Sequence, residues 1–185
     1  MKPLLSFEAA SLRRGGRLLF ERLDLELGPG DALHVVGPNG SGKSSLIRLA
    51  AGLLSAAAGR VDRTRLALAD EALALDRELP LGTALRFWSS SDRLGPAIEA
   101  MGLAGLVDVP VRLLSSGQWK RAALARVAAS GAPLWLLDEP LNGLDADGVQ
   151  RLDELVAGHR ASGGAVLAAS HVPIGGEWAR LELGH

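Results

Sequence analysis

The stretch "GPNGSGKS", Gly37 to Ser44, constrains this chain more than any other feature of it. It matches the pattern G-x-x-x-x-G-K-[ST] in full. It follows a short β-prone run, "DALHVV", and precedes a segment that turns helical after Lys43 and runs to Ala51, with Gly52 as its stop. Strand, glycine-rich turn and helix in that order are the context the pattern requires. Gly37, Gly40 and Gly42 let the backbone fold tightly enough for several amides to face one polyphosphate, with Pro38, Asn39, Ser41 and Ser45 filling out the loop and first turn. Lys43 is placed to reach the β- and γ-phosphates, and the Ser44 hydroxyl to complete a Mg²⁺ shell. The plain alternative is a βα turn carrying a surface lysine. A chance match in a chain of this length is on the order of 1%.

The rest of the chain reads as one α/β domain over residues 1–185, with a largely parallel sheet covered on both faces. "LLSFEAASL" and "LLFERLDLEL" have the partial alternation of half-buried strands around the turn-like "RRGGR", an N-terminal antiparallel part. "RLALA", "PLWLLDEP" and "AVLAAS" read as further strands, and "WARLEL" as an edge strand. "LGTALRFWSS" and "GPAIEAMGLAGL" read as short helices, and Gly117–Ala129 and "DADGVQRLDELVAGHRA" as longer ones. Pro80 to Val111 lacks strand signals, which predicts a small helical insertion, roughly 80–130 once the helix after it is included.

"LWLLDEP" places an acidic pair at the carboxyl end of a buried strand, where open α/β sheets bind ligands. Asp138 is expected to hold Mg²⁺ through water, and Glu139 to orient and polarise the attacking water. The alternative is that both merely begin a loop before Pro140. His171 follows "AVLAAS", a strand ending at the same rim, and could hold that water and the γ-phosphate; a lone histidine there is otherwise a solvated loop residue. Phosphoryl transfer to water needs positioning and charge stabilisation more than covalent chemistry, and these residue types supply both.

Composition closes off other classes. The net charge of −1 provides no global basic field for nucleic acid or an anionic membrane. The absence of cysteine removes disulfides and thiolate metal sites. "LIRLAAGLLSAAAG", the longest apolar candidate, is broken by Arg48 and falls short of a span. The N-terminus meets Glu8 before an apolar core develops, which argues against a signal peptide. The expectation is a soluble protein with no direct membrane insertion.

A second anion seat stands in "RLLSSGQWKRAALARVAAS": Ser-Ser-Gly just ahead of a long helix exposes amides at the positive end of its dipole. In order, the chain reads "GPNGSGKS", "LSSGQ", "LWLLDEP", "LNGLD" and "SH". That series resembles the nucleotide-binding domain of ABC transporters, with its Walker A, signature, Walker B, D-loop and switch histidine. The resemblance covers nearly the whole chain, and "LSSGQ" separates this family from other phosphate-loop proteins. It implies a P-loop fold with a small helical subdomain, ATP and Mg²⁺ as ligands, and a head-to-tail homodimer in the ATP-bound state. Ser115, Ser116, Gly117 and Gln118 would then face the γ-phosphate held by a partner subunit's phosphate loop, and Asp145 would belong to the D-loop. The alternative is an N-cap on an amphipathic core helix, and both can hold.

A narrower resemblance runs through "GGRLLFERLDLEL", "IRLAAGLL", "ELPLGTALRFW", the stretch from "LSSGQW" to "DADGV", and "HRASGGAVLAASH". These are similar to the ATP-binding subunit of the bacterial haem exporter used in cytochrome c maturation. That implies integral membrane permease subunits as partners and a peripheral place on the cytoplasmic face of the inner membrane. The chain departs from the general pattern in three places. Register puts Glu71 nearest the Q-loop glutamine, as a candidate for the water–Mg²⁺ shell. With no tyrosine in the chain, Leu12 or Arg13 is left to stack on adenine. Ser116 replaces the usual first glycine of the signature. Trp88, Trp119 and Trp135 are expected mostly to pack internally, the first two alternatively covering a partner's coupling helix. The rivals are a soluble ABC-type ATPase, a non-catalytic nucleotide-binding module, and a phosphate-loop kinase or GTPase. The last would need a guanine-reading Asn-Lys-x-Asp, which is missing.

Overall fold

The computed structural model describes residues 2–70, 74–89 and 91–184. From the N-terminus, β1 (Leu5–Arg14) and β2 (Arg17–Leu27) form a hairpin, and β3 (Ala32–Val36) leads through the glycine loop into α1 (Lys43–Ala51). Next come β4 (Ala58–Arg63), β5 (Leu66–Ala69), α2 (Leu81–Arg86) and α3 (Ser91–Ala100). Two single 3₁₀ turns lead to α4 (Ser116–Ala129), followed by β6 (Leu134–Asp138), α5 (Ala146–Ala161), β7 (Ala165–Ala169) and β8 (Ala179–Glu182).

Five strands form a parallel sheet in the order β5-β6-β7-β3-β8. Its faces serve two different cores, because alternate side chains of a strand point to opposite sides. Leu134 and Leu136 of β6 face α1 and the hairpin, packing with Leu46, Ile47 and Phe7. Trp135 and Leu137 face the other way, toward α3, α4 and α5. This is why "LWLL" shows no alternation: both faces are covered. Leu136 is fully buried, and Leu136→Ala would cost about 2–5 kcal/mol by leaving a hole that close packing does not refill.

The second sheet is antiparallel, in the order β2-β1-β4. β4 is a strand that pattern reading does not find. In "AGRVDR" only Val61 is a large apolar residue, so an edge strand held by backbone pairing to β1 leaves no alternation to see. The "GPAIEAMGLAGL" helix also shifts: α3 starts at Ser91 and carries Pro96 inside it, and Ala104–Leu106 is a separate 3₁₀ turn.

The topology places the chemistry. In a parallel sheet the carboxyl ends of all strands lie on one edge. β3 ends at the glycine loop, β6 at Asp138 and Glu139, and β7 at Ser170 and His171. Three separate parts of the sequence therefore open onto one rim.

Candidate active site

The glycine loop depends on backbone that side chains would spoil. Gly37 has φ 146°, and a Cβ there would run into the Leu183 carbonyl. Gly42 sits in the left-handed region at φ 105° as the residue preceding α1, and no side chain caps that helix. Lys43, only 6% exposed, bends back so that its Nζ donates to the carbonyls of Gly37 (2.9 Å) and Pro38 (3.3 Å). The loop is thus braced by the cation expected to meet phosphate.

Ser44 Oγ donates to Asp138 Oδ1 at 2.9 Å, joining the start of α1 to the end of β6. Burial pushes the Asp138 carboxyl above the usual range, with the Ser44 hydrogen bond opposing and neighbouring Glu139 reinforcing the rise. Glu139 has φ 47°, a strained conformation for a residue with a side chain, and its N–H donates to the Ala169 carbonyl at 2.8 Å. Glu139 Oε1 lies 3.2 Å from His171 Nε2. The ends of β6 and β7 thus bring the two expected catalytic side chains within ion-pair distance of each other.

These groups surround a cleft of about 490 Å³ lined by Asn39, Gly40, Gly42, Lys43, Ser44, Ser45, Glu139 and His171. Gly37, Pro38 and Ser41 are not in its lining; the Ser41 hydroxyl is buried beneath and makes no hydrogen bond. Arg14, Leu19 and Asn142 line it as well, and the sequence reading misses all three. Leu12 is 2% exposed and packs in the core, so it cannot stack on a base. Arg13 is outside the lining; Arg14, one residue on, lines the cleft and donates from Nη1 to Ser45 Oγ at 3.3 Å. A shift of one residue turns a strand's side chain to the opposite face, and the signal was the "RRGG" turn itself. Glu71 lies outside the described residues.

The signature residues stand elsewhere. Ser115, Ser116, Gly117 and Gln118 begin α4, and none lines the cleft of their own chain. Ser115 accepts from the Gln118 amide through Oγ (3.3 Å), and Gln118 Oε1 accepts from the Ser115 N–H (2.9 Å), a reciprocal capping box. A Cβ on Gly117 would come within 3.0 Å of the Gly143 carbonyl, so this turn lies against the "LNGLD" loop. Asp145 caps α5 by accepting from the Gly148 N–H at 2.8 Å.

Of the tryptophans, Trp135 is buried as expected and stacks on His159 at 3.7 Å. Trp119 packs against the same core. Trp88 departs from expectation: it is 38% exposed beside Phe87, which is 83% exposed. Arg126 of α4 lies 4.9 Å from the Trp88 ring and supports it from beneath. Among the described residues, no group of three or more His, Cys, Asp or Glu could hold a metal ion by itself, and no helix is long and apolar enough to cross a membrane.

Residues 20–142 match the family model for ABC transporters. The chain is 58% identical to the cytochrome c biogenesis ATP-binding export protein CcmA of Sphingopyxis alaskensis, over 94% of this chain and 93% of the relative. It is 60% identical to the protein of the same name from Novosphingobium aromaticivorans, over 88% of this chain and 85% of that one. An ATP-binding subunit of an ABC transporter superposes with a TM-score of 0.84 at 24% identity, covering 91% of this chain and 80% of that structure. At that identity the superposition bears on the fold alone.

Proposed function

The chain belongs to the ABC transporter family, and from that premise we propose that it is the ATPase subunit of an inner-membrane exporter serving cytochrome c maturation, of the haem-exporting class. Relatives at 58% and 60% identity that bear the cytochrome c biogenesis name support the assignment. The observation that carries the mechanism is the Glu139–His171 contact at 3.2 Å, on the rim of a cleft whose floor is the phosphate loop.

In this reading the loop amides and Lys43 hold the phosphates of ATP. Glu139 orients a water for in-line attack, and His171 keeps Glu139 aimed while reaching the γ-phosphate. Ser44 and Asp138 would hold a Mg²⁺ ion: a hydroxyl and a buried carboxyl group in contact are hard oxygen donors of the kind it prefers. When bound, Mg²⁺ supplies neutralisation of the charge on the transferring phosphoryl group. Arg14 offers a flat guanidinium and Leu19 an apolar edge for the base, in place of an aromatic ring.

The chain's own signature lies outside the lining of the cleft. We therefore read Ser115, Ser116, Gly117 and Gln118 as acting in trans, in a head-to-tail homodimer formed around ATP. The whole chain acts as one ATPase domain, with roughly 80–130 as its helical part. The exposed Phe87–Trp88 pair on that part suits contact with integral membrane permease subunits, which place the protein peripherally on the cytoplasmic face. Nothing in its charge suits nucleic acid.

The test is Glu139→Gln in the subunit assembled with its membrane partners. Turnover should fall by about 100-fold or more while ATP is still bound, and the subunits should stay paired around it. Near-normal steady-state turnover would remove Glu139 from the mechanism.

A further inference from the structure

His34 belongs to none of the motifs above, yet its side chain reaches the segment that carries His171. It sits in the middle of β3, three residues before the glycine loop. Its Nε2 lies 3.0 Å from the Ser170 carbonyl oxygen. Since a carbonyl only accepts, the ring must carry its proton on Nε2 and donate. Ser170 is fully buried, whereas the side chain of His171, the next residue, is 44% exposed.

We propose that His34 is a positioning residue for ATP hydrolysis, holding the Ser170–His171 peptide so that His171 meets Glu139. This rests on the proposed role of His171. The Ser170 carbonyl and the His171 N–H belong to one rigid peptide plane, so fixing that oxygen fixes the plane from which His171 departs. Ser170 is gripped at its other atoms too. Its N–H donates to the Val35 carbonyl at 3.4 Å. Its Oγ donates to the Val172 carbonyl (2.8 Å) and accepts from the Val172 N–H (3.1 Å). Those contacts involve backbone or Ser170 itself; His34 adds a side chain from the neighbouring strand.

The clamp is itself braced. Trp178 meets the His34 ring edge-on, with centroids 6.3 Å apart, and the Trp178 indole donates to the Gly175 carbonyl at 2.9 Å. A half-exposed side chain such as His171 keeps one orientation only if its backbone does, because rotational freedom otherwise spreads it over several rotamers. β3 thereby governs both sides of the cleft: its end becomes the phosphate loop, and its middle holds the strand end opposite.

The experiment compares His34→Leu, His34→Gln and His34→Asn in the assembled transporter, each also in a His171→Ala background. Gln places an amide N–H near the native Nε2 position, whereas Asn is too short to reach. With positioning, His34→Leu and His34→Asn lower kcat by about tenfold with KM for ATP within about twofold, and His34→Gln restores most of it. In the His171→Ala background the three variants should no longer differ. Unchanged kcat in His34→Leu overturns the proposal, as does equal loss in Gln and Asn, or a loss that persists without His171. Should His34→Leu fail to fold, the contrast between Gln and Asn decides by the same criterion. Full turnover in His171→Ala alone defeats the catalytic reading of His171 instead, and is distinguishable from each of these.

Discussion

Helices α1 and α4 both begin in loops of glycine and serine, yet they start in opposite chemical states. At α1 the preceding residue is a left-handed glycine, no side chain caps the first turn, and the adjoining lysine is nearly buried. At α4, Ser115 and Gln118 satisfy each other's backbone groups, and Ser115 and Ser116 are exposed. The first seat leaves its helix amides uncapped beside a buried lysine, which suits the proposed phosphate site within one chain. The second faces outward with its Ser115 and Gln118 amides paired to each other's side chains, so an anion arriving there meets the Ser116 and Gly117 amides, which the capping box does not engage. In the proposed head-to-tail pair, the two phosphate-seeking sequences of this small chain would be halves of one site, held apart within each copy.

The strongest way to break that comparison is Ser115→Arg. A long cation at the start of α4 leaves α1 and its cleft untouched, so ATP affinity of the single chain should change by no more than about threefold. Turnover and ATP-driven pairing should both be lost, with turnover down about 100-fold, because the bulk and charge would stand where the proposed trans arrangement puts the partner's nucleotide. Sedimentation in Mg-ATP, with Glu139→Gln in the same chain to prevent hydrolysis, reads the pairing directly. Survival of pairing and turnover would mean that α4 is only a well-capped structural helix.

A second prediction probes the α1 side. The Asp138 carboxyl is held above its ordinary range chiefly by burial. A carboxyl whose pKa rises on folding contributes stability below its unfolded pKa, and that contribution is lost as pH rises through the folded value. At pH 7–8 the buried charge is therefore a net cost. Asp138→Asn should raise the melting temperature of the nucleotide-free protein by a few degrees at pH 7.5, with the gain shrinking as the pH is lowered toward 4. It should also erase most of the additional stabilisation that Mg²⁺ gives over ATP alone. Thermal scans with ATP in EDTA against ATP in Mg²⁺ separate the two effects.

How much of this was legible beforehand depends on where the signal is written. The parallel sheet, the phosphate loop and the Asp138–Glu139 pair follow from local patterns that short segments impose on themselves, whereas His171 stands out only through the ordered series of motifs around it. β4 was invisible because its stability comes from pairing with β1, while its sequence offers one large apolar residue. Arg14 was missed by one residue in a strand whose pairing register shifts more than once before the turn, so face assignments carried along it fail. Trp88 was expected inside because large aromatic rings usually find a core, but its exposure is set by how α2 ends against α4. His34 had no sequence signal at all. Its contact with Ser170 spans 136 residues and exists only because β3 and β7 are neighbours.

The mildest test sharpens the comparison. Gln118→Ala removes half of the capping box at α4, exposing the Ser115 N–H while leaving the Ser115 hydroxyl in place. Loss of one reciprocal bond at a solvent-facing helix start should cost about 0.5–1 kcal/mol, or roughly 1–4 °C in melting temperature for a chain of this size. If α4 is merely capped, that is the whole effect, and turnover should fall only as far as the folded fraction does. If its start closes a partner's nucleotide, Gln118 is also part of the seat. The variant should then need about two- to fivefold more ATP for half-maximal turnover, with no matching change in ATP affinity of the single chain. Destabilising a helix in isolation gives no reason for those two ATP measurements to part company; a seat shared between two chains does.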